Sequence, residues 1–136
     1  MQKKGMLKQM DTRNFYMFED CVAKIFEAAE YSVTQNVKLE NLKGDIDIVA
    51  EKEGEKYCIE VKYSQVMKNA IERVFAIAQS QNMKPIIVTA QQITENKREY
   101  FHSRYPELIL IDIANLLFAV QNTTELRNEL IATLSY

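Results

Sequence analysis

The sequence predicts an α/β fold: a three-layer arrangement with helices on both faces of a mixed central sheet, in the order α-β-β-β-α-β-α-β-α. Two observations carry that expectation. Apolar residues at helical spacing alternate along the chain with β-rich runs. The early β-rich runs follow one another across short polar stretches, whereas the later ones are separated by helices. Short joins suit antiparallel neighbours and helical crossovers suit parallel ones, so the sheet is expected to be antiparallel early and parallel late.

The first helix is expected over residues 12–31, where Phe15, Phe18, Val22, Ile25, Phe26 and Ala29 form one apolar stripe. A strand over 32–37 follows, with Val33, Gln35 and Val37 alternating against polar neighbours. Residues 39–43 connect it to a second strand, opened by Gly44 and running over 45–50. The polar, glycine-containing stretch 51–55 leads to a third strand over 56–63, and the pair reads as an antiparallel hairpin. Residues 67–80 form a second helix with Met67, Ala70, Ile71, Val74 and Ala78 on one side. Pro85 introduces a continuous apolar run over 86–90, the pattern of a buried strand. A polar helix over 95–104 stops at Tyr105-Pro106, and 108–112 reads as another buried strand. Short helices over 114–120 and 125–134 complete the order, the second with Leu126, Leu130 and Leu134 four apart.

A chain of 136 residues is expected to form one domain over 1–136 and to bury about two-thirds of its unfolded surface. With 47% hydrophobic and 26% charged residues, three glycines and two prolines, it shows no linker, repeat or low-complexity segment. The net charge of -2 neither requires nor excludes a polyanionic partner. Lys3, Lys4, Lys8 and Arg13 stand against Asp11 alone in the first thirteen residues, so residues 1–11 read either as a flexible basic arm or as a solvated tail. Cys21 and Cys58 are far apart and unaccompanied by a second metal-ligand pair, which suits small buried residues in a reducing compartment. No apolar run approaches the roughly 18 residues of a membrane span, and the start lacks a signal peptide's apolar stretch. The expected location is the cytoplasm.

The chemistry is concentrated in the predicted hairpin. Asp45 and Asp47 share one face of their strand, Ile46 and Ile48 the other; Glu60 and Lys62 share a face of the partner strand, opposite Ile59 and Val61. Side-by-side pairing brings Asp47, Glu60 and Lys62 together. Carboxylates from adjacent strands make a hard oxygen site suited to Mg²⁺ or Mn²⁺. One ammonium beside them positions a water or steadies a developing phosphate oxyanion. Alternating charge is also what the wet face of a half-exposed sheet looks like, so the pattern alone leaves a solvated surface as the other reading. Strong apolar flanks on both strands argue for a central pair, whose charges would need partners.

Gly44-Asp45-Ile46-Asp47-Ile48-Val49-Ala50 followed by Ile59-Glu60-Val61-Lys62 resembles the core signature of the PD-(D/E)xK nuclease superfamily, and is most similar to archaeal Holliday-junction resolvases and Mrr-type restriction endonucleases. The later segment 85–89, then Leu110-Ile111-Asp112 and a leucine-rich helix, is also Mrr-like. The similarity covers about 15–120 and implies a restriction-endonuclease-like fold. It implies that Asp47 and Glu60 are metal-binding carboxylates, Lys62 the catalytic lysine and the carbonyl of Val61 a further ligand. Glu19 matches the glutamate that completes the metal site in the resolvase branch. Ile46 stands where a proline often precedes the aspartate, a proline that many members of the superfamily also lack.

Helix geometry at about 100° per residue puts Glu19 roughly 70° from the centre of the apolar stripe, at its margin. There it either reaches the site over a sheet edge or is a flanking surface glutamate. Asp45 is either a second ligand or a hydrogen-bond partner for the turn before its strand. Lys68 and Arg73 are candidate phosphate contacts on electrostatic grounds. His102 reads as a surface residue, and Tyr16, Tyr63, Tyr100 and Tyr105 either stack on bases or edge the core. The expected activity is a Mg²⁺-dependent endodeoxyribonuclease, with Mn²⁺ as a substitute and DNA as partner. The competing readings are a nuclease-like DNA-binding or protein-interaction module without turnover, and a purely structural domain. A homodimer is expected if both strands of a duplex are cut, and the Leu126-Leu130-Leu134 ridge is either its surface or packing for the chain's own core. With no recognition domain evident, the chain reads as a structure-selective nuclease or a module of a larger protein.

Overall fold

The computed structural model describes residues 2–40 and 44–134, with side chains described over 13–40 and 44–134. Helix α1 (Gln2–Ala28) is followed by strands β1 (Ser32–Lys38), β2 (Asp45–Lys52) and β3 (Glu55–Lys62). Helix α2 (Lys68–Gln81), strand β4 (Lys84–Thr89), helix α3 (Glu95–Arg104), strand β5 (Ile109–Ile111) and helices α4 (Ile113–Ala119) and α5 (Thr124–Thr133) complete the chain. The five strands lie in sequence order across one sheet. β1, β2 and β3 pair antiparallel, and β3, β4 and β5 pair parallel. Because the parallel half grows in one direction, crossovers of one hand put α2 and α3 on the same face.

Two cores result. On one face Phe18, Cys21, Val22 and Ile25 of α1, Leu116 of α4 and Leu130 of α5 cover Ile48, Ala50, Ile59, Val61, Ile86 and Val88. On the other, Ala70, Ile71, Val74 and Ile77 of α2 pack on Cys58 and Ile87, with Phe101 of α3 beside them. Helices thus cover both faces of a mixed sheet, the expected α/β/α layering. Cys21 and Cys58 belong to opposite cores, are free thiols, and are pushed up to about 11 and about 12 chiefly by burial. Such thiols stay protonated and inert.

Several local expectations change. α1 begins at Gln2 rather than near residue 12, since Lys, Gln, Met and Leu all favour helix. The side chains of Lys3, Lys4 and Lys8 lie outside the described residues. The stretch 51–55 is not a five-residue loop. Glu53 (φ 53) and Gly54 (φ 81) alone make the turn, and Lys52 pairs with Glu55. Two consecutive positive-φ residues match the twist of a tight hairpin.

β5 is an edge strand rather than a fully buried one, with Ile109 40% exposed. Met67 lies off the apolar side of α2, at its N-cap and 64% exposed. The leucine ridge is already used: Leu130 is fully buried, and Leu126 and Leu134 pack against the α1-side core.

The largest departure lies in the β1–β2 hairpin. Val33 packs in the α1-side core but Val37 in the α2-side core, and Ile48 and Ile46 divide in the same way. Strict alternation would keep each pair on one face. Between them Asn36 takes φ 53, although Gln35 still pairs with Ile48 and Val37 with Ile46. The left-handed residue rolls the hairpin over at this level without shifting its register. Asp47, between Ile46 and Ile48, sits at the roll.

Candidate active site

β3 is the middle strand of the sheet, and its side chains alternate cleanly. Ile59 and Val61 enter the α1-side core, which sends Cys58 and Glu60 toward α2. The β2–β3 ladder stops at Ile48 opposite Ile59, so the strands fork beyond that pair. Asp47 spans the fork: its Oδ2 accepts the N–H of Val61 at 2.9 Å, a side-chain bond where a ladder bond would have been. At the far end of β3 the carbonyl of Lys62 accepts from Ala90 N–H at 2.9 Å, and Thr89 Oγ1 donates to Ser64 at 2.7 Å. The strand end carrying Lys62 is therefore held by β4.

Asp45, Asp47, Glu60, Lys62, Asn69, Ala70 and Arg73 line an open cleft of about 340 Å³ beside α2. Glu60 is nearly enclosed, its side chain 10% exposed. Its carboxyl is raised by burial first, then by the charge of Asp47 and a hydrogen bond shared with it, against the pull of Arg73 and Lys62. Two carboxyls this close hold one proton between them more easily than two charges. Glu19 comes from α1 on the opposite face and is 3% exposed, so it is not a surface glutamate. Burial pushes it up to about 7, reinforced by Asp47, Asp20 and Glu60, while a hydrogen bond from Gln35 pulls the other way. Helix phase alone places Glu19 at a margin; the roll of β1 and β2 beneath it accounts for its depth.

Arg73 is the residue whose position the sequence least suggests. Its Nη1 donates to Glu60 Oε2 at 3.1 Å and its Nη2 to the carbonyl of Asp45 at 3.3 Å. The available signal is its place one turn after Ala70, a small residue that opens a path from α2 to the sheet. Lys68, by contrast, is exposed, pairs loosely with Glu72 at 3.7 Å and does not line the cleft. Among the described residues no hydrogen bond or ion pair engages the ammonium of Lys62, which lines the cleft beside Glu60. His102 is exposed on α3, away from this cleft. Tyr63 packs edge-on to Phe18 and donates its hydroxyl to Thr133 at 2.7 Å, and Tyr105 packs on Phe75, so both edge the cores. Tyr16 and Tyr100 are exposed.

The donor set is oxygen-rich and carries more negative than positive charge: Asp45, Asp47 and Glu60 line the cleft with Lys62 and Arg73, and Glu19 adds its charge beside Asp47 and Glu60. That excess suits a hard divalent cation. Among the described residues no three acidic, thiol or imidazole groups already stand around one point as a formed metal cage. Asp47 is turned onto Val61 and Glu60 onto Arg73, so the chemistry fits an ion while two of the donors are engaged by the protein itself.

Several solved structures resemble the fold. A protein of unknown function, AF1548, aligns with a TM-score of 0.58 at 21% identity, over 77% of this chain and 67% of that one. The DNA modification-dependent restriction endonuclease AspBHI aligns with a TM-score of 0.53 at 9% identity, over 93% of this chain and 40% of that one. VC1899 from Vibrio cholerae aligns with a TM-score of 0.51 at 12% identity, over 83% and 33%. At these identities the likeness is one of fold, and the chain spans well under half of the last two proteins. None of the curated proteins matches the sequence. Among the described residues no helix is long and apolar enough to cross a membrane. The Mrr_cat family, described as restriction endonuclease, matches residues 8–119, a span that holds the hairpin, both crossover helices and every residue of the cleft; the chain belongs to that family.

Proposed function

We propose that this domain is a divalent-metal-dependent endonuclease that hydrolyses DNA phosphodiester bonds. The observation carrying that reading is the cleft in which Asp47 and Glu60 are close enough to share a hydrogen bond while Lys62, two residues along β3, keeps an unengaged ammonium. Glu19, Asp47 and Glu60 would hold Mg²⁺ or Mn²⁺, with the Val61 carbonyl as a further ligand by resemblance to the superfamily. The chemistry such an ion supplies is polarisation of the scissile phosphate and acidification of a water. Lys62, fixed through its own carbonyl, would orient the attacking water or steady charge developing on the phosphate. Its lack of a fixed partner leaves the ammonium available for that work.

DNA is the substrate class that membership of a restriction endonuclease family favours. AspBHI is by name modification-dependent, but this chain spans 40% of it, so that selectivity is not carried over. The reading takes two forms: a structure-selective nuclease, or the cutting module of a larger protein. Either would cut both strands most simply as a homodimer, through a surface other than the leucine ridge.

A second reading has one observation in its favour. The Glu60–Arg73 pair neutralises a ligand carboxylate, which would suit a nuclease-shaped module that binds DNA without cutting. One assay separates the readings: the purified chain with four-way junctions, flaps, linear duplex and single strands, in Mn²⁺, Mg²⁺ or chelator. Metal-dependent cutting of any of these supports the nuclease. Binding that never leads to cutting supports the module, and the absence of both leaves a structural domain.

A further inference from the structure

The seat of Arg73 carries an inference that rests on the divalent-ion reading and goes beyond it. Glu60 is almost enclosed, whereas Arg73 keeps 34% of its side chain exposed on the cleft wall. One end of the guanidinium is on Glu60; the other is on main chain, the Asp45 carbonyl at 3.3 Å. Gly44 (φ +90) flanks that seat, and a Cβ there would stand 3.1 Å from Arg73 Nη2. The strand start thus leaves a notch that accepts the guanidinium independently of the carboxylate.

This geometry has two consequences. A charge-assisted bond orients Glu60, a buried carboxylate that otherwise meets the like charge of Asp47 with only the charge of Lys62 to offset it and no hydrogen-bonded cation. The same bond occupies an oxygen that a divalent ion would use, and places a like charge a few ångströms from where the ion would sit. We propose that Arg73 is the resident counter-cation of this site: it holds Glu60 aligned when no divalent ion is bound, and the ion must displace it to take the carboxylate. Arg73 is then a positioning residue that sets how strongly the site binds metal.

The test is Mn²⁺ titration by calorimetry on the full chain, with thermal melts in chelator and in saturating Mn²⁺. Arg73→Gln removes the competing charge, so Mn²⁺ affinity rises about tenfold. The melting gain from saturating Mn²⁺ widens too, because the ion-free form has lost the partner of Glu60. Arg73→Lys keeps the charge and stays within about threefold of the parent. A purely structural ion pair gives the opposite sign: Arg73→Gln that binds Mn²⁺ no better than the parent overturns the proposal. So does Arg73→Lys that tightens as much as Arg73→Gln, because charge is then not the cause.

A second measurement uses the wild-type chain and does not depend on a variant folding. The guanidinium N–H groups of Arg73, followed by NMR, exchange slowly in chelator and faster in saturating Mg²⁺; unchanged exchange overturns the proposal. A parent chain that binds neither ion overturns it as well, and that failure is told apart because it lies in the metal site itself.

Discussion

Asp112 ties three elements together with one carboxylate. It accepts the N–H of Ile93 and of Asn115, each at 3.0 Å, and pairs with Arg98 of α3 at 3.3 Å. Asn115 returns the bond by accepting the N–H of Asp112, a capping box that starts α4. Burial pulls this carboxyl upward, but the two backbone bonds and the Arg98 guanidinium outweigh it and hold it below the usual aspartate range. A carboxyl lowered on folding adds stability that is complete above its unfolded pKa and is lost as pH falls through the folded one. Asp112→Ala should therefore cost about 3 kcal/mol near neutrality, the scale of a cap plus a broken buried pair. Urea melts of parent and Asp112→Asn should converge as pH drops below about 4. A stability gap that stays constant down to pH 3 would contradict this account of Asp112.

Among the elements, order and type were legible because each announces itself within its own residues. Pro85 before an apolar run, Tyr105-Pro106 after a polar helix and alternating charge in β2 and β3 are all local signals. What escaped depends on neighbours distant in sequence or on single backbone angles. Asn36 in the left-handed region rolls the β1–β2 hairpin, and no side-chain pattern reports it. The exposure of Ile109 follows from β5 being last in the sheet, which its composition does not reveal.

The end of α1 is a third case. Glu30 takes φ 71 and donates its N–H to Glu27, while Tyr31 donates to Phe26 and their rings meet edge-on at 5.3 Å. This is a Schellman stop with a glutamate where glycine is preferred. Glu30→Gly should relieve about 1 kcal/mol of left-handed strain and raise the denaturation midpoint. A lower midpoint would mean that Glu30 contributes through its side chain.

At the scale of the whole molecule, a net charge of -2 gives little attraction for DNA, so binding must come from where the cations lie. Replacing Lys3, Lys4 and Lys8 with glutamine should weaken DNA binding and flatten its salt dependence by roughly 0.9 for each phosphate no longer neutralised. An unchanged slope would remove the N-terminal segment from the interface. The Asp47, Glu60 and Lys62 constellation was legible because the hairpin register is short-range, whereas the depth of Glu19 and the reach of Arg73 required the packed faces of α1 and α2.

The central claim concerns that constellation, and its most direct test is Mn²⁺ titration beside Mn²⁺-dependent DNA cleavage for the parent, Asp47→Asn and Lys62→Ala. Asparagine retains an oxygen for the Val61 N–H, so Asp47→Asn should fold while losing metal affinity and cleavage together. Lys62→Ala should keep its metal affinity yet cut about a hundredfold more slowly or worse. Cleavage that survives both substitutions would contradict the account and assign the activity elsewhere.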